Sequence, residues 1–427
     1  MPSPTPPPHA SSASRSLPVL SGGDGTQPAG RVLASTRRHA AASLYIHVPF
    51  CFHKCHYCDF YSIVDTRDRQ EPFVHRLEHE LEALSPWVRR PLDTLFVGGG
   101  TPSLLSPSLW RRLLRRLDEL FGTASMAGRG GEFTVECNPE TVTDDLAAAL
   151  AAGGVTRVSM GAQSFHPGHL KTLERWHDPA NVPLALERMR QAGIVRQSID
   201  LIFGIPGQTM DEWLQDLEIA CSLGTEHLSC YGLTYEQGTA MNARLERGDF
   251  QPIDHDLEAD MFDATVERLG RHGLRRYELS NFARPGAECR HNLVYWRQGN
   301  WIAAGPSASG HVDGLRWKNR PRLDDYLQDT PDRTALIADA ETPDPVRNLV
   351  EAMMTGLRLA EGVDARAMLS FAAAIDDRRR DRLASWATRL GERGMLEAAD
   401  DRWRLTPTGM RLANQAILEA AEAIDPS

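Results

Sequence analysis

From Ser43 onward, short apolar runs that end in Gly, Pro or polar residues alternate with longer segments whose apolar residues recur at helical spacing. The runs are Leu44 to Val48, Thr94 to Val97, Phe133 to Glu136, Arg157 to Met160, Ser198 to Phe203 and His227 to Leu233. Between them, helical spacing covers residues 69 to 84, 106 to 121, 143 to 152, 179 to 192 and 209 to 223. A repeated β-α order of this kind predicts six parallel strands covered by helices, an α/β core over residues 43 to 236.

The pattern then loosens. Residues 237 to 342 read as an extension of the core, with a helix near 255 to 272 and strand-like pieces at Tyr277 to Phe282 and Trp301 to Ala304. Residues 343 to 427 change texture again: helices near 345 to 358, 363 to 373 and 377 to 393 precede a hairpin from Met395 to Thr406, turned at Asp400-Asp401. That order predicts a mainly helical, winged-helix-like C-terminal domain. Residues 1 to 42 are rich in Pro, Ser, Ala and Gly, and Asp24 is the one acid among Arg15, Arg31, Arg37 and Arg38, so a disordered tail is expected. An organelle transit peptide is the alternative for that segment.

Charge narrows the partners. Lys and Arg number 47 against 57 Asp and Glu, a net charge of -10 that argues against a nucleic acid held by phosphate contacts. The basic run Arg111 to Arg116 interleaves with Leu113 and Leu114 and reads as a solvated helix face. No stretch has the ~20 apolar residues of a membrane span, which leaves only peripheral membrane contact open and points to a cytoplasmic protein. Three of the seven cysteines are clustered and Cys137, Cys221, Cys230 and Cys289 are scattered, a usage typical of a metal site rather than a disulfide framework.

The clustered cysteines, Cys51, Cys55 and Cys58, form C-x3-C-x2-C just after the first strand. Three thiolates on one loop can hold three irons of a cubane and leave the fourth iron open as a coordination site. Structural zinc with a fourth ligand from His47, His53 or His56 is an alternative, as is a redox pair of Cys55 and Cys58 alone. Gly98-Gly99-Gly100-Thr101-Pro102 ends the second strand on the same rim, where glycines let amides approach a ligand. Glu136 ends the third strand, Gln163 follows the fourth and Asp200 lies in the fifth.

The cysteine spacing, with Tyr57 before the last Cys, resembles the radical SAM superfamily, and the wider match is specific to its coproporphyrinogen oxidase-like branch. The resemblance implies a partial (β/α)6 barrel, a 4Fe-4S cluster on Cys51, Cys55 and Cys58, and S-adenosylmethionine bound beside it. It also implies Tyr45, Gly99 and Glu136 around a first S-adenosylmethionine, and Tyr57, Gly100, Thr101, Gln163, Arg175, Asp200 and Thr234 around a second. In the HemN oxidases the motif runs on as Cys-Gly-Cys, whereas here it continues Cys58-Asp59-Phe60. The sequence is more similar to the HemW group of heme chaperones, through Cys-Asp-Phe and through His291-Asn292-Leu293-Val294-Tyr295-Trp296.

That second string is linked in the group to heme. It offers an imidazole for iron, an amide, and two aromatic faces suited to a porphyrin, with Cys289 as a further axial or covalent partner. The competing reading makes Tyr295 and Trp296 core and gives His291 an ordinary hydrogen bond. The resemblance thus implies a protein that binds heme and passes it to an acceptor protein, with an electron donor for the cluster. Oxidative decarboxylation of coproporphyrinogen III is the alternative activity.

Overall fold

The computed structural model describes residues 27–34 and 40–426. Its centre is the expected set of six parallel strands: β1 (Ser43–Val48), β2 (Thr94–Gly99), β3 (Glu132–Cys137), β4 (Arg157–Gln163), β5 (Arg196–Phe203) and β6 (His227–Gly232), hydrogen-bonded in that order. The connecting segments supply helices Gln70–Leu84, Pro107–Phe121, Asp144–Ala152, Asn181–Gln191 and Met210–Ser222. Three of these have side-chain caps set by sequence: Ser106, Thr143 and Thr209 each accept a backbone N–H of the first turn, and Thr209 forms a reciprocal capping box with Glu212. The caps start each helix beyond a rim loop and leave the strand ends free to carry polar side chains.

The sheet continues past this core at both ends. On one side β6 pairs antiparallel with β8 (Asn281–Ala283), which pairs with β7 (Arg275–Arg276). On the other, β9 (Trp301–Ala304) runs parallel to β1 and leads into antiparallel β10 (Ser309–Val312), β11 (Leu315–Asn319) and β12 (Ile337–Glu341). The twelve strands run from β12 to β7 without the ends meeting, so the barrel is open. Glu80, fully buried, anchors the added side by accepting from the Gly305 and Ala335 amides and from the Tyr326 hydroxyl.

Residues 27–34 do not behave as the expected disordered tail. A short helix, Ala29–Leu33, buries Ala29, Val32 and Leu33, and Ala29 N–H donates to Ala335 O at 2.9 Å while Gly30 N–H donates to Thr334 Oγ1 at 2.9 Å. The small apolar surface of this segment is enough because it docks on existing core instead of building its own. Residues 40–42 depart from it as well, with Ala41 buried and its N–H donating to Trp87 O at 2.8 Å; the rest of the tail reading and of the transit-peptide alternative, over residues 1–26 and 35–39, lies outside the described residues.

The C-terminal unit packs Pro345–Gly356, Ala365–Ile375 and Asp377–Glu392 with a three-stranded sheet of Val363–Asp364, Arg402–Leu405 and Leu396–Ala399 and a last helix, Ala413–Ile424. It has its own core, centred on Trp386, Leu390 and Ala416. Arg316 of β11 holds it to the barrel through a two-pronged pair with the buried Glu351, at 3.0 and 2.9 Å. Ala360 N–H, which donates to Tyr277 O, closes a second seam.

Candidate functional site

The cysteine loop leaves β1 at Val48 and folds over the carboxyl ends of the parallel strands. Its position is fixed by backbone: Gly100 N–H donates to Val48 O at 2.8 Å, Thr101 N–H to Phe50 O at 2.7 Å, and His56 N–H to Leu173 O at 3.2 Å. A Cβ at Gly100 would sit 2.7 Å from Phe50 O, so only glycine lets the two loops approach this closely. Tyr57 packs against a small satellite core of Leu173, Ile202, Ile205, Leu233 and Met241 beneath the loop.

All three thiols are free. Cys55 is buried and Cys51 and Cys58 are half-buried. Cys51 Sγ lies 3.5 Å from Thr101 Oγ1, and Arg175 Nη1 lies 3.8 Å from Cys55 Sγ. Burial raises the Cys51 thiol above its ordinary range and pushes Cys58 up to about 11. A thiolate there therefore needs a cation or cluster to stabilise it. Among the described residues, the three sulfurs do not gather within the short range that one ion requires. His47, a candidate zinc ligand in the sequence, has both ring nitrogens engaged, by Tyr45 Oη at 3.1 Å and Tyr61 O at 2.8 Å. The donor set fits a cluster on three corners better than a closed zinc site.

Beside the loop, the rim residues expected for S-adenosylmethionine converge. Glu136 Oε2 accepts from Gly99 N–H at 3.0 Å, and Ser159 Oγ donates to both oxygens of Asp200, at 3.0 and 3.1 Å. Burial, reinforced by the Asp200 charge, pushes Glu136 up to about 8, and burial also raises Asp200. Gln163 ends β4 with φ +65°, next to a register shift between Gly161 and Gln163. This irregular turn, with no side chain at Gly161, makes room for the Arg175 guanidinium, whose Nη2 donates to Gly161 O at 2.9 Å. Arg175 Nε is buried without a partner, an unfilled donor facing a site that would accept a carboxylate. Tyr45 is half-buried midway along β1, and Thr234 is exposed just after the end of β6.

The second expected site lies where the barrel meets the C-terminal unit. The helix Arg290–Trp296 lays Asn292, Tyr295 and Trp296 along a cavity of about 450 Å³, whose other walls are Tyr231, Glu278 to Asn281 and Thr355. The volume is in the range of small-molecule sites.

Residues 45–220 match the Radical SAM superfamily, and residues 347–412 match the HemN C-terminal domain. The heme chaperone HemW of Mycobacterium tuberculosis H37Rv is 34% identical over 88% of this chain and 93% of its own length. The chain belongs to the HemW family. The HemW of Escherichia coli K12 is 33% identical over 88% of the chain and 97% of its own. In fold the chain is similar to the coproporphyrinogen III oxidase HemN of Escherichia coli, with a TM-score of 0.76 and 21% identity over 93% of this chain and 92% of that one. Membership of the radical SAM superfamily implies an iron-sulfur cluster and S-adenosylmethionine.

Within this HemW-type chain, one sequence expectation is corrected. His291 was expected to present an imidazole to iron, but it is fully buried. Its Nδ1 lies 2.8 Å from Thr94 Oγ1, whose own proton goes to Ser43 Oγ, so Nδ1 carries the hydrogen. Nε2, 2.7 Å from Tyr295 Oη, therefore accepts the phenol proton and has no lone pair to offer a metal. Burial drives its pKa down to about 3, consistent with a permanently neutral ring. Cys289 is likewise buried, donating to Glu132 Oε1 at 3.5 Å, and its thiol is pushed up to about 12. Both residues anchor the helix, whose first amides also reach Glu132, from Arg290 N at 3.0 Å and His291 N at 2.9 Å.

Sequence reading missed Tyr231, which is 41% exposed at the end of β6 and faces the cavity. Strand alternation could have found it: Leu228 and Cys230 point into the core, so Ser229 and Tyr231 share the other face. Ser229 hydrogen-bonds Asp200, which links the two sites along one strand.

Proposed function

We propose that this chain is a heme chaperone, binding heme in the cavity at the Arg290–Trp296 helix and passing it to an acceptor protein. The observation that carries the reading is the cavity itself: Tyr231, Tyr295 and Trp296 give aromatic surface, Asn292 and Ser280 give polar edges, and the mouth opens beside the barrel rim. A shallow aromatic cleft of this kind holds a flat, apolar ligand while leaving part of it reachable by a partner, which suits delivery better than storage. The names of the bacterial relatives, heme chaperones over nearly their whole length, support the same reading.

In this proposal Cys51, Cys55 and Cys58 hold a 4Fe-4S cluster. Glu136, Asp200, Gln163 and Arg175, with Tyr45, Tyr57, Gly99, Gly100, Thr101 and Thr234, bind S-adenosylmethionine as one or two molecules. The cluster, when bound, supplies an open iron for the amino and carboxylate groups of the ligand and an electron from a donor protein. The chain's own part is to orient: Arg175 pairs the carboxylate, Glu136 receives an ammonium or a ribose hydroxyl, and the Gly98 to Thr101 segment brings backbone close to both. A cytoplasmic setting belongs to the same proposal, supported by seven unpaired cysteines. Among the described residues no helix is long and apolar enough to cross a membrane.

Phe60, 62% exposed beside the cluster loop, stands where the oxidases have a further thiol, which supports a carrier over a decarboxylating enzyme. Anaerobic reconstitution with iron and sulfide, followed by heme titration and incubation with coproporphyrinogen III on the same sample, tests this. Stoichiometric heme binding without turnover is expected. Release of carbon dioxide and formation of protoporphyrinogen would replace the proposal with the oxidase reading.

A further inference from the structure

A second group of ligating side chains lies outside the cysteine loop, on the two helices that follow β4 and β5. The short helix Pro167–Thr172 brings His169 next to His166, the residue before its first turn, with ring centroids 4.5 Å apart. Both rings face Glu212 on the first turn of the helix Met210–Ser222: His166 Nε2 lies 3.7 Å from Oε1 and His169 Nε2 3.3 Å from Oε2. Among the described residues this is the one His, Cys, Asp and Glu group whose ligand atoms all fall within 4.8 Å of one another.

We propose that His166, His169 and Glu212 form a second metal site, for a borderline divalent cation such as Zn²⁺, that clamps the Pro167–Thr172 helix to the helix Met210–Ser222. Zinc at about 2.0–2.1 Å from each ligand requires neighbouring ligand atoms to lie about 3.3–3.4 Å apart, and the two nitrogen-to-oxygen separations are already close to that. A second observation points to an occupant. His169 is 5% exposed, and its Nε2 is a buried nitrogen that makes no hydrogen bond with acceptable geometry, although a carboxylate stands 3.3 Å away. A neutral imidazole with a buried, unused nitrogen beside a carboxylate is costly without a partner, and a cation satisfies both groups at once.

The neighbourhood suits a cation. Asp216, one turn further along the same helix, adds negative charge while both its oxygens are occupied, by Ser164 Oγ and by Phe165 N–H, each at 2.7 Å. Glu212 Oε2 also accepts from the Thr209 amide and hydroxyl, which fixes the carboxylate with Oε1 toward His166 and Oε2 toward His169. Two imidazoles and one carboxylate leave a fourth position for water, as in an open rather than a closed zinc site.

Such a clamp would act on the cluster side of the molecule. The Pro167–Thr172 helix leads directly into Leu173, whose carbonyl accepts from His56 of the cysteine loop, and into Arg175, which lies against Cys55. Arg244 ties the same turn down from the other side through Thr172 O at 3.1 Å. Fixing residues 166 to 175 therefore fixes the support of the loop.

The test uses the full chain with its cluster reconstituted, incubated with one equivalent of Zn²⁺ and desalted. Retention of one zinc per chain is expected, with a zinc-edge X-ray absorption shell of nitrogen and oxygen only. Retention should fall at least tenfold in His169→Ala and in Glu212→Gln, the latter chosen because the amide can still accept from Thr209. Thermal melting should rise with zinc in the parent chain and not in either variant, which separates loss of the metal from loss of the fold. No retained zinc, a shell containing sulfur, or retention unchanged in both variants overturns the proposal.

Discussion

Arg175 Nη1 sits 3.8 Å from Cys55 Sγ while Nη2 of the same guanidinium donates to Gly161 O, so one side chain spans the cysteine loop and the end of a barrel strand. With Nε left over, it is the cation best placed to meet a ligand carboxylate at the rim. Arg175→Lys keeps the charge but loses the fork, and a charged hydrogen bond of this kind contributes about 1.5–3 kcal/mol. S-adenosylmethionine affinity should weaken about 10- to 100-fold in equilibrium dialysis, while iron and sulfide content stay at the parent level. Unchanged affinity would remove Arg175 from the site.

Cys55 is the most deeply buried of the triplet. Cys55→Ala should yield colourless protein after anaerobic reconstitution, with iron and sulfide near zero, and should lose S-adenosylmethionine binding with it. Full retention of iron would transfer the cluster to other ligands.

Glu136 supplies a pH signature. Its folded pKa, about 8, lies above the unfolded carboxyl value of about 4.3, so between those limits the folded chain holds a proton that the unfolded chain has lost. Its contribution to stability is complete below about pH 4.3, declines as pH rises and is gone above pH 8. Urea midpoints of the ligand-free protein should therefore fall from pH 5 to pH 8 less steeply in Glu136→Gln than in the parent. An identical slope in the two proteins would contradict the assignment. For a ligand ammonium the sign reverses, because the carboxylate form is the acceptor, and affinity should rise through pH 8.

The aromatic cavity and the buried His291 separate two roles that lie side by side in one sequence string. Trp296→Ala and Tyr231→Ala remove aromatic wall, and heme affinity should fall about tenfold or more in a Soret titration. His291→Ala should instead leave the Soret position and the electron paramagnetic signal of bound heme unaltered. It should lower the urea midpoint, because the Tyr295 and Thr94 hydroxyls lose a buried partner at a cost of about 1–3 kcal/mol. Loss of an axial-ligand signature in His291→Ala would restore that residue as an iron ligand and imply a rearranged helix.

What the sequence disclosed and what it hid follow the range of the forces involved. Alternation and helical spacing are local, and they placed β1 to β6, the intervening helices and the C-terminal hairpin correctly. The cysteine triplet and the glycine segment after β2 were legible because their chemistry is carried by adjacent residues. Strand β9 pairs with β1 across more than 250 positions, and no local pattern announces that parallel pairing or the antiparallel strands β10 to β12 beyond it. The final helix, Ala413–Ile424, was missed since small alanines blur the apolar stripe that buries Ala416, Ala420 and Ile424. His291 misled for a related reason: a histidine beside aromatics looks the same whether its partner is iron or the Thr94 hydroxyl of a strand 197 residues away.

Ser229 and Tyr231 stand two residues apart on one face of β6, the first bound to the Asp200 carboxyl and the second lining the aromatic cavity. A strand is stiff along its length, which offers a displacement of one of these side chains a route to the other. Thermodynamic reciprocity then requires that whatever factor an occupant of the rim imposes on porphyrin affinity, the porphyrin imposes on the rim occupant in return. Loading and release would in that case be two readings of a single exchange, with β6 as the beam of the balance.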